Sequence, residues 1–189
     1  MKTSRRTLLT AAALAALTPR FSTAQPQPKK TMTSHTYHDA VLHYRDNGKT
    51  DAPALLLLHG GLGTAADDFA PLLPHLHPHY RVIENDTRGH GQSTRGSVPL
   101  TYAQIAADAK HLIDTLRLNT YHILGFSDGG TAAYHLALND ERAQSVLTIG
   151  AHWHSSQIEP VRDMYESLTP DFLREHMPAQ VAAYEQQNP

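Results

Sequence analysis

Residues 124–130 read Leu-Gly-Phe-Ser-Asp-Gly-Gly, so a single serine, Ser127, stands between Gly125 and Gly129. A serine hydroxyl is a weak nucleophile at neutral pH. It needs a base beside it, and its oxygen must stand clear of its surroundings. The apolar run Tyr121-His122-Ile123-Leu124 leads into this stretch and the small-residue pattern GTAAYHLAL leads out of it. A sharp strand-to-helix turn of that kind lifts the serine into the open, with the two glycines removing side chains that would collide across it. The helix N-terminus favours developing negative charge. The Asp128 N–H is one expected oxyanion donor. A second has to come from another loop, and LHGGLG (residues 58–63) supplies it at Gly61 or Leu62. The chemistry in question is acyl transfer through Ser127. The Asp128 side chain has two readings: it attracts a cationic or amino-bearing substrate, or it hydrogen-bonds nearby and only its N–H matters.

Four histidines follow Ser127: His135, His152, His154 and His176. His152 and His154 lie just after an apolar run, at the sheet edge where open α/β folds bind ligands. They are weak substitute candidates for the base, with Glu159 or Asp163 to orient them; the blander reading has them bordering the pocket. His135 falls two turns along the helix and is expected on its surface. The densest histidine cluster, PHLHPHY (74–80), sits between a helix and a strand, away from Ser127, and no metal is expected there. Phe69, Phe126, Tyr134 and Trp153 are expected in the core or pocket wall, Phe126 buried.

The elements that must position these residues are legible as alternating strands and helices. APALLLLHGG and RVIEND are continuous apolar runs of the kind that form strands buried on both faces. YHILG and SVLTIG extend the series to four buried strands. YHDAVLHYRDNG alternates and ends in Asn-Gly, a strand and turn. Residues 64–78 read as a helix with proline-rich ends. Residues 101–117 form the clearest helix: Thr101 with Gln104 matches a capping box, and Ile105, Ala109, Leu112, Ile113 and Leu116 share one face. Residues 158–188 are polar and helical, broken at Pro160, Pro170 and Pro178. The pattern predicts an α/β fold: a mostly parallel sheet with helices on both faces.

The first 24 residues do not read as fold. Lys2, Arg5 and Arg6 precede the apolar run Leu8–Leu17, and small residues follow Pro19, as in an export signal; SRRTLL is twin-arginine-like. Export to the periplasm or the cell exterior is expected. Residues 25–35 read as a flexible leader. Of the 16 Lys and Arg, four lie in the signal, which has none of the 18 Asp and Glu; 12 basic residues against 18 acidic leave −6 beyond it. That balance argues against nucleic acid as a partner. The absence of cysteine excludes disulfides and a thiolate nucleophile.

Three motifs, LLLLHGGLG, NDTRGHGQS and LGFSDGG, in this order and spacing resemble the α/β-hydrolase family over residues 36–155. The elbow resembles that of the valacyclovir-hydrolase-like serine esterases and lactonases. The resemblance implies Ser127 as nucleophile and Gly61 or Leu62 with Asp128 as oxyanion donors. It implies no cofactor, and a small-molecule ester or lactone as substrate. It also implies a structural loop at NDTRGHGQS, with Asp86 and Arg88 pairing with local backbone and charges. Serine at 127 argues against the branches that carry aspartate there. In this family the triad acid and histidine follow later strands. Residues 36–157 are expected to form the core and 158–189 to begin a helical cap. The fold is therefore expected to be an incomplete α/β-hydrolase with its last strands missing. The acid and base of the triad are not expected in this chain, which reads as truncated. Two functions follow: a serine hydrolase, or a catalytically dead relative that binds a small ligand or partner subunit. A bare apolar sheet edge is expected to promote self-association.

Overall fold

The computed structural model describes residues 32–187. The export signal expected over 1–24, and residues 25–31 of the leader, lie outside the described residues. Six strands form one sheet: β1 (Met32–Tyr37), β2 (Ala40–Asp46), β3 (Ala54–Leu58), β4 (Arg81–Asn85), β5 (Tyr121–Phe126) and β6 (Ala143–Ile149), in the order β1-β2-β4-β3-β5-β6. β4, β3, β5 and β6 run parallel, whereas β1 and β2 are an antiparallel hairpin at one side. The α/β architecture is that expected. Residues 32–35, expected to belong to the leader, are strand. The reason is the pairing of Met32–Tyr37 with Ala40–Arg45 across a two-residue turn, where His38 takes φ 53°.

Alternation along β3 decides which side receives which helix. Leu56 and Leu58 face one side with Ile83 and Ile123. There they meet α3 (Tyr102–Thr115) through Ile105, Ala109, Leu112 and Ile113, and α4 (Asp128–Leu138) through Ala132, Ala133 and Leu136. Leu55 and Leu57 face the other side with Val82 and Leu124, against Ala65 and Phe69. The single helix expected over 64–78 is two short ones, α1 (Ala65–Asp68) and α2 (Leu73–Leu76). Thr64 caps α1 by accepting from the Asp67 N–H, and Pro74 stands in the first turn of α2, so each piece has its own start signal. The capping box of α3 is half formed. Thr101 Oγ1 accepts from the Gln104 N–H at 3.1 Å, but the Gln104 amide turns to Asp108 Oδ1 at 2.8 Å.

Asp108 explains that choice. It holds Arg88 in a two-pronged ion pair at 2.6 and 2.7 Å, and the Arg88 side chain is fully buried. Arg88 therefore pairs across to α3, besides donating to the Arg95 carbonyl at 3.2 Å. Asp86 stays local, accepting from the Gln92 N–H at 3.4 Å, and burial raises its pKa.

β6 departs from the buried strand expected of SVLTIG. Opposite Leu124 in register stands Leu147, and opposite Phe126 stands Ile149. These positions share the α1 side of the sheet, but α1 does not reach them. Leu147 is 64% exposed, Ile149 45% and Phe126 38%. On the other face Val146 packs on the core and Thr148 hydrogen-bonds the Tyr134 hydroxyl of α4 at 2.7 Å. The tail forms α5 (Arg162–Ser167), α6 (Pro170–His176) and α7 (Pro178–Gln187), with Pro170 and Pro178 each opening a helix. Among the described residues no helix is long and apolar enough to cross a membrane.

Among the described residues β6 pairs only with β5, and its Gln144–Ile149 stretch carries neither charge nor proline. Such an edge invites pairing with another chain. Sedimentation velocity should show mass rising with concentration, and Leu147→Lys should suppress the rise. A wild-type chain that stays monomeric across the accessible range would refute the expectation.

Candidate active site

Ser127 sits between β5 and α4 with φ 50° and ψ −119°, a left-handed backbone conformation for a residue other than glycine. That costs on the order of 1–3 kcal/mol and persists only where surrounding structure dictates it. Three hydrogen bonds do so. The Ser127 N–H donates to the Ile149 carbonyl at 2.8 Å, and its own carbonyl accepts from the N–H groups of Gly130 (2.9 Å) and Thr131 (3.1 Å). The side chain, half-buried, makes no hydrogen bond with any described residue.

The glycines on either side of Ser127 answer to contact. A Cβ at Gly129 would stand 2.2 Å from the Leu58 carbonyl oxygen and 2.4 Å from that of His59; one at Gly125 would stand 2.6 Å from Gly130 Cα. The end of β3 and the first turn of α4 thus meet backbone to backbone. The loop after β3 then passes directly over the turn: a Cβ at Gly60 would lie 3.2 Å from Ser127 Cβ, and one at Gly61 2.7 Å from Asp128 Oδ2. The Gly60 N–H is taken by Asp68 Oδ2 at 2.8 Å. The N–H groups of Gly61, Leu62 and Asp128 donate to no acceptor among the described residues. Leu62 itself takes φ 62°. Three unpaired backbone donors are therefore gathered beside an unpaired hydroxyl. That arrangement can bind an anionic oxygen.

The loop is anchored from below by His59, which the sequence reading passed over. Its ring is 1% exposed. Nδ1 lies 2.7 Å from the Gly60 carbonyl, to which it donates, and Nε2 accepts from the Thr87 N–H at 3.0 Å. One neutral tautomer satisfies both, and it ties the β3 loop to the β4 loop. Burial, with the neighbouring His90 next, lowers its pKa from 6.5 to about 4. Its position directly after a buried apolar strand and before two glycines was the available signal.

The Asp128 carboxylate reaches across to α3, where Tyr102 donates its hydroxyl to Oδ1 at 2.7 Å. Burial and then this bond raise the tyrosine pKa. A cavity of about 650 Å³ opens here, walled by Gly61, Leu62, His90, Ile105, Asp128 and Tyr184. His90 and Tyr184 of α7 meet edge to face at 5.2 Å.

Among the described residues no hydrogen bond joins His152 or His154 to Ser127 Oγ. His154 is a helix cap: its Nδ1 accepts from the Ser156 N–H at 3.1 Å. His152 is held through its backbone, its N–H donating to Thr131 Oγ1 at 3.3 Å, while its ring meets Tyr165 at 5.7 Å. Glu159 pairs with Arg162. His135 lies exposed on α4 beside Tyr102, and His176 stacks on Phe172 in α6. Within PHLHPHY, His77 faces Glu84 at 3.6 Å; among the described residues no group of three or more His, Asp or Glu converges as a metal site.

The alpha/beta hydrolase fold family model matches residues 53–182. Proline iminopeptidase PfmaB of Pestalotiopsis fici is 35% identical over 145 residues, covering 70% of this chain and 50% of the relative. 3-Oxoadipate enol-lactonase 2 of Acinetobacter baylyi is 32% identical over 120 residues, covering 63% and 43%. A crystallised hydrolase from Pseudomonas aeruginosa superposes with a TM-score of 0.62 at 26% identity, over 85% of this chain and 68% of that one. The chain spans about half the length of the two sequence relatives.

Two outcomes follow from the site's construction. Gly129→Ala forces a methyl into backbone carbonyls and should lower stability by about 3 kcal/mol or more in urea unfolding. Gly48→Ala, at φ 72° in open space, should cost only about 1 kcal/mol. Equal losses would refute the contact argument. His59 and His35 both have pKa values lowered to about 4, His35 by burial and then by His111. The unfolded chain takes up these protons first, so their stabilisation is complete above pH 6.5 and is lost as pH falls toward 4. The melting temperature should fall across that window, and His35→Gln should flatten the fall; a flat wild-type profile would contradict it.

Proposed function

The chain belongs to the alpha/beta hydrolase fold family, and from that membership we propose that it is a serine hydrolase that cleaves a carboxylic ester or lactone through an acyl-enzyme on Ser127. The observation that carries the proposal is the strained Ser127, its hydroxyl unpaired among the described residues, beside the unpaired N–H groups of Gly61, Leu62 and Asp128. Ser127 Oγ attacks the carbonyl carbon as its proton passes to a base. The carbonyl π electrons move onto oxygen, and the N–H groups hold that oxyanion. The carbon–oxygen bond to the leaving alcohol then breaks, the alcohol leaves with the proton, and water repeats the sequence to free the acid. No described residue is assigned as base or orienting acid.

The ester or lactone class is supported by the enol-lactonase relative's own chemistry and by the elbow motif. The proposal includes export, on the strength of Lys2, Arg5, Arg6 and the apolar run after them. A second reading has one observation in its favour: no described imidazole hydrogen-bonds Ser127 Oγ. Under it the same donors bind the carboxylate or carbonyl of a small ligand without turnover.

A fluorophosphonate probe and a p-nitrophenyl short-chain ester separate the two. The hydrolase reading expects covalent labelling and turnover, with Ser127→Ala losing labelling and about 10³-fold or more of the rate. A folded chain that neither labels nor turns over would leave the binding reading in place.

A further inference from the structure

A second cavity of about 400 Å³ shares Tyr102 with the first as a lining residue. Its other walls include Tyr134, His135, His152, Trp153 and Ile158. Thr131 also lines it, one helical turn beyond Ser127, to whose carbonyl its N–H donates at 3.1 Å. Ser127 itself lines neither cavity; its neighbour Asp128 lines the first and Thr131 the second. The segment that carries His152 is held to the Ser127 turn by the Ser127 N–H to Ile149 carbonyl bond and the His152 N–H to Thr131 Oγ1 bond.

The walls of the two cavities differ in chemistry. The first carries the Asp128 carboxylate and the aliphatic side chains of Leu62, Leu100 and Ile105, beside the rings of His90, Tyr102 and Tyr184. The second is built mainly of rings and carries no carboxylate. Its polar side chains are largely occupied: Thr131 Oγ1 donates to the His152 carbonyl at 3.2 Å, the Tyr134 hydroxyl pairs with Thr148, and His154 caps its short helix. Ring faces and edges, with the side chains of Leu138 and Ile158, are what remain to meet a ligand. Flat walls of this kind favour offset and edge-to-face contacts with another ring. Imidazoles without a carboxylate beside them tolerate an anion better than a cation. Cavities of this size and lining hold the apolar part of a small ligand.

We propose that this cavity is a subsite for an aromatic arm of the substrate, neutral or anionic, and that Tyr102 divides it from the subsite beside Asp128. The proposal rests on the reading of Ser127 as the acylating serine. It narrows that reading to esters or lactones bearing an aryl group.

Trp153 is the sole tryptophan of the chain and lines this cavity, so its fluorescence reports occupancy directly. The test titrates the full Ser127→Ala chain with benzoate, and with cyclohexanecarboxylate as a partner of equal charge that lacks the aromatic ring. Benzoate should shift Trp153 emission saturably and bind at least fivefold more tightly than cyclohexanecarboxylate. His135→Ala, on the exposed face of α4, should weaken benzoate at least fivefold and leave the circular dichroism spectrum unchanged. No saturable change with benzoate, equal affinity for the two acids, or full affinity in His135→Ala would each overturn the subsite. Fluorophosphonate labelling of wild type is scored separately. Benzoate binding without labelling refutes the acylating serine and, with it, the substrate assignment. Labelling without benzoate binding refutes the subsite alone.

Discussion

Everything at the candidate site depends on one close approach. The carbonyls of Leu58 and His59, at the end of β3, stand so near Gly129 that no side chain fits between them. The parallel register of β3 and β5, Leu58 opposite Gly125, sets the two strand ends level. Only then can the loop from one strand lie over the turn from the other. The left-handed Ser127 follows from the same geometry: the chain must leave β5 and enter α4 within one residue, under a neighbour that leaves no room. Strain at one residue is sustained by the packing of two strands and a helix.

Buried polar groups fix the loops that this approach leaves exposed. His59 bridges the β3 loop to the β4 loop through two hydrogen bonds that a single neutral tautomer satisfies. Arg88 carries the β4 loop onto α3 through Asp108. The His59 ring and the Arg88–Asp108 pair are taken out of water with hydrogen-bond partners in place, as burial requires. The consequence is positional: two loops and α3, from different parts of the chain, are held to one another by side chains, so the unpaired N–H groups of Gly61 and Leu62 keep their places outside any helix or strand.

Much of this was legible in the sequence, and the failures share a cause. Continuous apolar runs located β3, β4 and β5, a 3.6-residue period located α3 and a run of small residues located α4, because each packs against partners that are close. The Ser127 turn was legible because glycine spacing encodes contact directly. The misreadings came where partners are distant. SVLTIG reads as a buried strand, yet half of it faces outward because cover on one side stops at Leu124. The box at Thr101 and Gln104 was undone by Asp108, whose ion pair with Arg88 spans 20 residues. Phe126 looked buried from its neighbours and is 38% exposed for the same reason as Leu147. The hairpin at 32–46 was half seen, since its first strand lacks a strong apolar face of its own.

Tyr184 brings α7 into the wall of the larger cavity, beside His90, from 94 residues further along the chain. A ligand there touches the loops of the sheet and the tail at once. Its binding energy is therefore shared between holding the ligand and holding the tail, and the two are thermodynamically linked: at a concentration far above its dissociation constant, the ligand stabilises the docked tail by RT ln(1 + [L]/Kd). Occupancy would then be visible at a distance from the chemistry, as slower hydrogen exchange along α7.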